Sequence, residues 1–170
     1  MLRPIAPSDE AFLRAVYSST REQELAIVPW DDAQKTAFLR MQFDAQHAYY
    51  QEQYAGASFD VILIDGQPAG RLYVERAAEE FRIIDIALLP EYCNRGIGTT
   101  LLRELHSEAA AEGKPLRIHV ERFNPALRLY ERLGFSQVED KGVYLFMEWS
   151  GDKSHAPDPK SPGKPVAPSA

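Results

Sequence analysis

The sequence predicts a mixed α/β fold in which a central β-sheet is flanked by helices. Residues 83–90 form an apolar run, and a turn with two glycines, Gly96 and Gly98, leads from it into an amphipathic segment, which is the pattern of strand, loop and helix. Another apolar strand follows that helix, so two central strands are expected to be parallel and joined by a helical crossover. Short apolar segments elsewhere supply the other strands of the sheet.

Turn residues and apolar spacing place the elements in order. Strands are expected at residues 2–5, 59–64, 69–74, 81–89, 116–121, 135–138 and 143–149. Helices are expected from Ser8, a candidate cap, from Asp31, and at residues 99–112 and 125–133. The pair Asp65-Gly66 is a hairpin signal, and Gly113 ends the long helix.

Composition narrows the function classes. The chain has 170 residues, of which 45% are hydrophobic and 26% are charged, as in ordinary globular domains. A net charge of −6 argues against non-specific nucleic-acid binding. The single cysteine, Cys93, excludes an internal disulfide framework. No run of about 20 apolar residues occurs, and the N-terminus lacks a basic stretch with an apolar core, so a cytoplasmic protein without membrane contact is expected.

The last part of the chain differs from the rest. Residues 150–170 are rich in Pro, Ser, Lys and Gly and carry almost no large apolar side chains. Such a segment cannot bury enough surface to offset its ordering entropy. One domain over residues 1–149 followed by a flexible tail is therefore expected.

The glycine-rich turn is the first chemical signal. Backbone N–H groups at a helix start, with glycines that let the chain come close, form an anion site, so a phosphate-bearing ligand is expected. A dinucleotide loop needs a third glycine where this chain has Leu101, and a triphosphate loop needs a lysine that does not follow Gly98. Taken alone, the turn also fits a structural role.

A second motif changes that balance. Asn124, the pair Leu129-Tyr130 and the pair Gly134-Phe135 follow the next strand at a fixed spacing. With the Cys93–Gly98 loop, they resemble the GCN5-related N-acetyltransferase superfamily, which pairs a Q/R-x-x-G-x-G/A loop with a downstream Asn, Leu-Tyr and Gly-Phe. The resemblance extends over residues 2–149 in element order. Cys93 stands where the family usually has Gln or Arg, and its position in the cofactor loop argues against a catalytic thiol.

The resemblance implies acetyl transfer from acetyl-CoA to a primary amine by direct attack. It also implies a sheet whose two central parallel strands splay apart. Pantetheine is expected to pair with Ile86, Ala87 and Leu88, and the phosphates to bind Asn94, Arg95, Gly96, Ile97, Gly98 and Thr99, with Asn124 and Tyr130 completing the cofactor site. No metal is expected.

The resemblance also suggests catalytic residues. Tyr130 matches the position whose phenol commonly protonates the departing thiolate, and an ordinary Tyr is protonated at neutral pH. His119, Glu121 and Asp85 are the candidate bases or relays for the amine proton. Each has a structural alternative: a packed tyrosine, a strand histidine, and a carboxylate that anchors a hydrogen bond. A water relay without one dominant base also remains open.

The acceptor is expected to be an amine on a small molecule or a peptide. Candidate lining residues are Arg21, Glu24, Trp30, Tyr49 and Tyr50, although aromatic residues in this region also fit a packed helix pair. A homodimer is compatible with the family. The competing hypothesis is a non-catalytic acyl-CoA-binding module that keeps the loop and transfers nothing.

Overall fold

A computed structural model describes residues 1–151, in which strands and helices alternate as a mixed α/β chain. The strands are β1 (Leu2–Pro4), β2 (Ser58–Ile64), β3 (Gln67–Arg76), β4 (Phe81–Leu88), β5 (Leu116–Glu121), β6 (Ser136–Asp140) and β7 (Tyr144–Trp149). The α-helices are α1 (Glu10–Ala26), α2 (Asp32–Gln53), α3 (Ile97–Ala111) and α4 (Leu127–Arg132), and 3₁₀ turns cover Pro7–Asp9 and Pro90–Tyr92. The tail expected at residues 150–170 lies, from residue 152 onward, outside the described residues.

The seven strands form one sheet in the order β1-β2-β3-β4-β5-β7-β6. Strands β4 and β5 are parallel, with Phe81, Arg82 and Ile83 opposite Leu116, Arg117 and Ile118. Strand β7 pairs antiparallel with both β5 and β6, and β1 pairs antiparallel with β2. Helix α3 makes the crossover between the parallel strands, which confirms the expected fold class.

The chain divides into two compact units. Unit 1 comprises residues 1–73 and 85–93, and unit 2 comprises residues 74–84 and 94–151. In unit 1 the core is built on Leu13, Tyr17 and Phe43, with Ile5, Phe12 and Leu39 against them. In unit 2 the buried residues include Leu101, Leu102 and Leu105 of α3 and the alternating residues Leu116, Ile118 and Val120 of β5.

The start of α1 differs from the expectation. Ser8 does not cap the helix, because the neighbouring Asp9 carboxylate performs the local bonding. Asp9 accepts the N–H of Ala6 at 2.8 Å and both terminal nitrogens of Arg3 at 2.7 and 2.8 Å. These bonds hold the pKa of Asp9 at about 2, mainly through the Arg3 hydrogen bond. The carboxylate thus holds the turn before α1 and makes no capping bond to the helix itself.

Helix α3 begins two residues before the expected Thr99. Gly96 adopts a left-handed conformation with φ +80°, which turns the chain directly into the helix at Ile97. The N–H of Thr100 then bonds to the carbonyl of Gly96. The expected phosphate segment, residues 94–99, is therefore half loop and half first helical turn.

Helix α4 is shorter than expected because a side chain holds the preceding turn. The Oδ1 atom of Asn124 accepts the N–H of Ala126 at 2.8 Å, so residues 124–126 precede the helix. Gly134, with φ +94°, follows its end. Helix α2 begins as expected, with Asp31 accepting the N–H of Gln34.

Among residues 1–151, none of the helices has both the length and the apolar character needed to cross a bilayer.

Candidate functional site

The loop before α3 has an unusual backbone. Asn94 (φ +59°) and Gly96 (φ +80°) are both left-handed, and α3 starts immediately afterwards. The N–H groups of the first helical turn have no intrahelical acceptor and carry the positive end of the helix dipole. Arg95 is exposed in the same loop and adds a positive charge. This part of unit 2 therefore offers backbone donors and a cation to an anionic ligand.

The two loop glycines are not required for packing. A Cβ at Gly96 would meet no atom within 4 Å, and one at Gly98 would lie at an ordinary 3.7 Å from Leu129. Gly96 is needed for its positive φ, whereas Gly98 has no such backbone requirement. Glycine at position 98 leaves the first turn of α3 without a side chain over its backbone.

Cys93, just before this loop, is an exposed free thiol. Its Sγ lies 3.7 Å from the carbonyl of Leu88 and 3.5 Å from that of Leu89. Backbone carbonyls do not take a proton from a thiol, so these contacts give no activated nucleophile. The thiol instead contacts the end of β4.

In the part of β4 that lies in unit 1, the backbone N–H and C=O of one residue, Leu88, point away from the neighbouring strand β3. The N–H of Leu89 donates to the carbonyl of Ala69 in β3 at 2.8 Å, and the carbonyl of Ala87 points at Gly70 in the same strand. Because the peptide units are trans and planar, the N–H and the C=O of Leu88 then point away from β3. Among the three expected pantetheine residues, Leu88 has both backbone groups directed away from β3, with its carbonyl in contact with the Cys93 thiol, while the Ala87 carbonyl faces β3.

Asp85, also in unit 1, is held by a buried arginine that the sequence did not single out. Nη2 of Arg71 donates to Asp85 Oδ2 at 2.7 Å and to Gln46 Oε1 at 3.0 Å, and Arg71 is only 3% exposed. Burial lowers the pKa of Arg71, but Asp85, Tyr73 and Tyr50 together outweigh it, so that pKa lies above the ordinary value. The partner that a charged residue in an apolar run requires is thus present.

His119 in unit 2 is neutral at physiological pH. Its ring stacks on Phe146 with centroids 4.7 Å apart, and its Nε2 is buried without a hydrogen-bond partner in the described chain. Burial, followed by the charges of Arg82 and Lys141, lowers its pKa to about 4. The imidazole is therefore no stronger a base than an ordinary carboxylate.

Glu121 and Tyr130 also lie in unit 2. Glu121 ends β5 opposite Tyr144 and is partly exposed. Tyr130 is 4% exposed on α4, and its ring meets that of Phe135 edge-on at 5.7 Å. Unit 2 thus holds the loop together with the Tyr and two of the candidate bases, while Asp85 and Leu88 lie in unit 1.

The aromatic residues of α2 divide between core and surface. Tyr50 is buried and packs edge-on against Tyr54 and Tyr73, in agreement with the core-packing interpretation. Trp30 stays partly exposed beside Phe38. Arg21 bonds to Glu24 on α1.

Sequence reasoning missed Gly70, Arg71 and Arg82. Arg71 and Asp85 both interrupt apolar strand segments, and that shared feature was the signal of an ion pair between neighbouring strands. Gly70 is recognisable only from the structure, because its requirement comes from the close approach of Ala87. Within residues 1–151, the His, Cys, Asp and Glu side chains form no group of three or more that could hold a metal ion.

The comparisons with known proteins agree with this geometry. Residues 55–137 match the family model of the acetyltransferase (GNAT) domain. The chain is 26% identical over 136 residues to the [ribosomal protein bS18]-alanine N-acetyltransferase of Haemophilus influenzae, covering 79% of this chain and 83% of that protein. It is 39% identical over 67 residues to an N-alpha-acetyltransferase of Saccharolobus solfataricus, covering 36% of this chain and 40% of that one.

A solved structure shares the fold. The PaiA N-acetyltransferase of Thermoplasma acidophilum, in complex with coenzyme A, superimposes with a TM-score of 0.67 at 20% identity, covering 88% of this chain and 98% of that one. The seven-stranded sheet, the glycine loop before α3 and the matched domain model confirm the enzyme class expected from the two motifs, and they do not favour a non-catalytic module. This chain belongs to the GCN5-related N-acetyltransferase superfamily and is an N-acetyltransferase.

Proposed function

We propose that this enzyme moves the acetyl group of acetyl-CoA to the primary amine at a protein N-terminus. The observation that carries the proposal is the loop of Asn94 and Gly96 running into α3, since it offers backbone donors where a diphosphate would bind. The neighbour from T. acidophilum was solved with coenzyme A, and both relatives are named for the acetylation of α-amines or of a ribosomal protein's alanine. Small-molecule amines are the alternative acceptor class.

Two parts of the chain would hold the cofactor. The loop and first helical turn, residues 94–99, would bind the pyrophosphate through backbone N–H groups and Arg95. The outward N–H and C=O of Leu88 would pair with pantetheine, next to Ile86 and Ala87. The parallel ladder between β4 and β5 covers residues 81–83 and 116–118, which supports a family-type opening of the sheet beyond them. Bound acetyl-CoA supplies the electrophilic thioester.

Tyr130 would protonate the departing thiolate. A tyrosine phenol with an ordinary pKa is protonated at neutral pH, as an acid of this kind requires. Tyr130 matches the family's Leu-Tyr position and sits on α4, directly after the turn stabilised by Asn124.

Glu121 would receive the amine proton through water. It is partly exposed, so water reaches it, and it ends β5 beyond the three-residue ladder with β4. Asp85 forms an ion pair with Arg71. Burial, followed by the charges of nearby cations, lowers the pKa of His119 and so disfavours its protonation. We therefore place Glu121 ahead of the other two candidates.

The proposal also includes a cellular location and an oligomeric state. The proposal places the enzyme in the cytoplasm, which fractionation of cells that express the full chain tests. A homodimer is compatible with the family and is tested by size-exclusion chromatography with light scattering.

The test is an acceptor screen with purified protein. Peptides with different N-terminal residues, polyamines, amino acids and aminoglycosides are compared by release of free coenzyme A thiol and by mass of the product. Transfer to peptide α-amines supports the proposal. If calorimetry shows that acetyl-CoA binds but no amine gives thiol release, the proposal is contradicted. That outcome would support the non-catalytic acyl-CoA-binding module.

Variants then test the roles. Tyr130→Phe should lower kcat at least tenfold with an almost unchanged Kd for acetyl-CoA, whereas Tyr54→Phe, a buried tyrosine of unit 1, should not. Glu121→Gln should lower kcat, and Glu104→Gln on α3 is its control. Unchanged kcat in Tyr130→Phe or Glu121→Gln removes that residue from the mechanism.

A further inference from the structure

One face of the sheet in unit 2 carries a row of charged residues that acetyl transfer does not use. Arg82 on β4 lies opposite Arg117 on β5, and Arg117 lies opposite Glu148 on β7. One step along, His119 lies opposite Phe146. Residues in register on adjacent strands project from the same face, so these side chains form one cluster.

The Phe146 ring is the centre of this cluster. The guanidinium carbons of Arg82 and Arg117 lie 5.6 and 5.9 Å from the ring centroid, and the ammonium of Lys141 lies at 5.3 Å. His119 stacks on the same ring. Three cations and an imidazole thus surround one aromatic side chain.

Arg117 is already bonded to two carboxylates. Its Nε donates to Glu148 at 2.7 Å, and its Nη1 donates to Glu80 at 2.8 Å. Glu80 also accepts from Nη2 of Arg82 at 3.0 Å. The two carboxylates that bond to this cluster are therefore already used.

Arg82 is left with unused donors. It is 4% exposed, yet its Nε and Nη1 make no hydrogen bond within the described residues. A buried guanidinium loses solvation at both nitrogens, and that cost persists until an acceptor reaches them. The Nε2 of His119 is unpartnered in the same way. Lys141 has a carboxylate only at 3.8 Å, from Glu139, which is beyond hydrogen-bond length.

We propose that Arg82, His119 and Lys141 form a subsite for a carboxylate of the acceptor. The inference rests on the proposed function, because it assigns the ligand to the peptide substrate. The unused donors of Arg82 call for an acceptor, and a carboxylate offers two acceptor oxygens beside the Lys141 ammonium. Burial, followed by the charges of Arg82 and Lys141, lowers the pKa of His119.

The spacing identifies which part of a peptide would bind. Strands rise about 3.3 Å per residue, so Glu121 and His119 on this face are roughly 7 Å apart, and Glu121 and Arg117 roughly 13 Å. An α-amine near Glu121 would place the second or third side chain of an extended peptide at the subsite. The enzyme is expected to prefer N-termini with Asp or Glu at one of these positions.

A binding test needs no catalysis. The pKa of His119 is measured by NMR of its ring in acetate and in chloride at equal ionic strength. Carboxylate binding should raise that pKa by about one unit, since a nearby negative charge favours imidazolium. The rise should shrink in Lys141→Gln but not in Lys114→Gln, a matched lysine whose ammonium lies 5.5 Å from the ring of Phe81. Equal pKa values in the two salts overturn the subsite.

A kinetic test compares peptides that differ only by Asp or Asn at position two or three. The acidic peptides should have a KM lower by about tenfold with similar kcat, and Arg82→Gln should abolish the difference while Arg82→Lys retains part of it. If Arg82→Gln does not fold, Lys141→Gln carries the comparison. Equal KM values for both peptides overturn the proposal. An NMR response without acetylation of any peptide instead contradicts the proposed function and leaves the subsite standing.

Discussion

His106 shows how burial sets the chemistry of a single side chain. It is 9% exposed on α3, its ring is stacked flat on Trp149 at 4.1 Å, and Phe135 lies 5.2 Å away. Its Nε2 is buried without a hydrogen-bond partner in the described part of the chain. Burial, followed by the charge of Arg103, lowers its pKa to about 4. His106 is therefore a core aromatic residue with an ionisable ring.

Unit 2 should lose stability in mild acid because of His106. An unfolded histidine titrates near 6.5 and the folded one near 4, so the unfolded state binds more protons between these values. The contribution of His106 is complete above pH 6.5 and falls by about 3 kcal/mol as the pH approaches 4. Urea unfolding from pH 7 to 4 measures it. His106→Leu should show a flatter profile, with the part due to His119 remaining, and an unchanged slope would refute this assignment.

At the scale of elements, glycine sets the backbone of two short segments, the end of β4 and the start of α3. The end of β4 is fixed against β3 by the close contact of Gly70 with Ala87, and α3 begins at the left-handed Gly96. Both depend on glycine, but for different reasons. Gly70 is required by space, and Gly96 by backbone angle.

Gly70→Ala should disturb the end of β4. A Cβ at this position would lie 2.2 Å from the carbonyl oxygen of Ala87, and backbone cannot turn aside as a side chain can. We expect a loss of about 1–3 kcal/mol in unfolding free energy and weaker acetyl-CoA binding, because Leu88 shifts with the strand. Gly56→Ala is the control, since its Cβ would meet nothing within 4 Å. Equal stability of the two variants would argue against this contact.

Gly96→Val should separate ligand binding from backbone strain. Gly96 and Gly113 both have positive φ and open space at Cβ, so valine strains each by about 1–2 kcal/mol. Only Gly96 lies at the proposed phosphate loop, so only that variant should bind acetyl-CoA at least tenfold more weakly by calorimetry. If Gly113→Val weakens binding equally, strain alone is the cause and the loop is misplaced.

For the molecule as a whole, the arrangement of strands carries the function. The crossover β4–α3–β5 makes the two central strands parallel and puts the glycine loop at the carboxyl end of β4. Ligands of open α/β sheets bind at such strand ends. The remaining strands close the sheet on both sides in antiparallel pairs.

Acetyl-CoA should stabilise the whole protein. A ligand that binds only the folded state at one hundred times its Kd adds about 2.7 kcal/mol. The melting temperature should therefore rise with acetyl-CoA and stay unchanged with ATP or NAD, for which the loop lacks the required lysine and third glycine. A rise with ATP and not with acetyl-CoA would indicate a nucleotide-binding protein instead.

The sequence by itself determined the element order, the parallel pair and the family. These features are local patterns: apolar runs, the glycine turn, and the motif of Asn124 and Leu129-Tyr130. Local patterns can be recognised in the sequence because they relate residues that are close along the chain. The structure confirmed β5 at its expected bounds, residues 116–121. Glycine and proline chemistry likewise placed the C-terminal ends of α3 and α4 to within one residue.

Only the tertiary structure decided which charges pair and which donors stay unused. Arg71 lies 14 residues from Asp85 and Arg82 lies 37 residues from His119 in the chain, so no local pattern relates them. Asp9 rather than Ser8 holds the N-cap position of α1, and its carboxylate bonds to Arg3 and to the N–H of Ala6 instead of to the helix. The residue type gives the charge of a side chain. Its desolvation and its partners depend on which residues lie next to it in the folded structure.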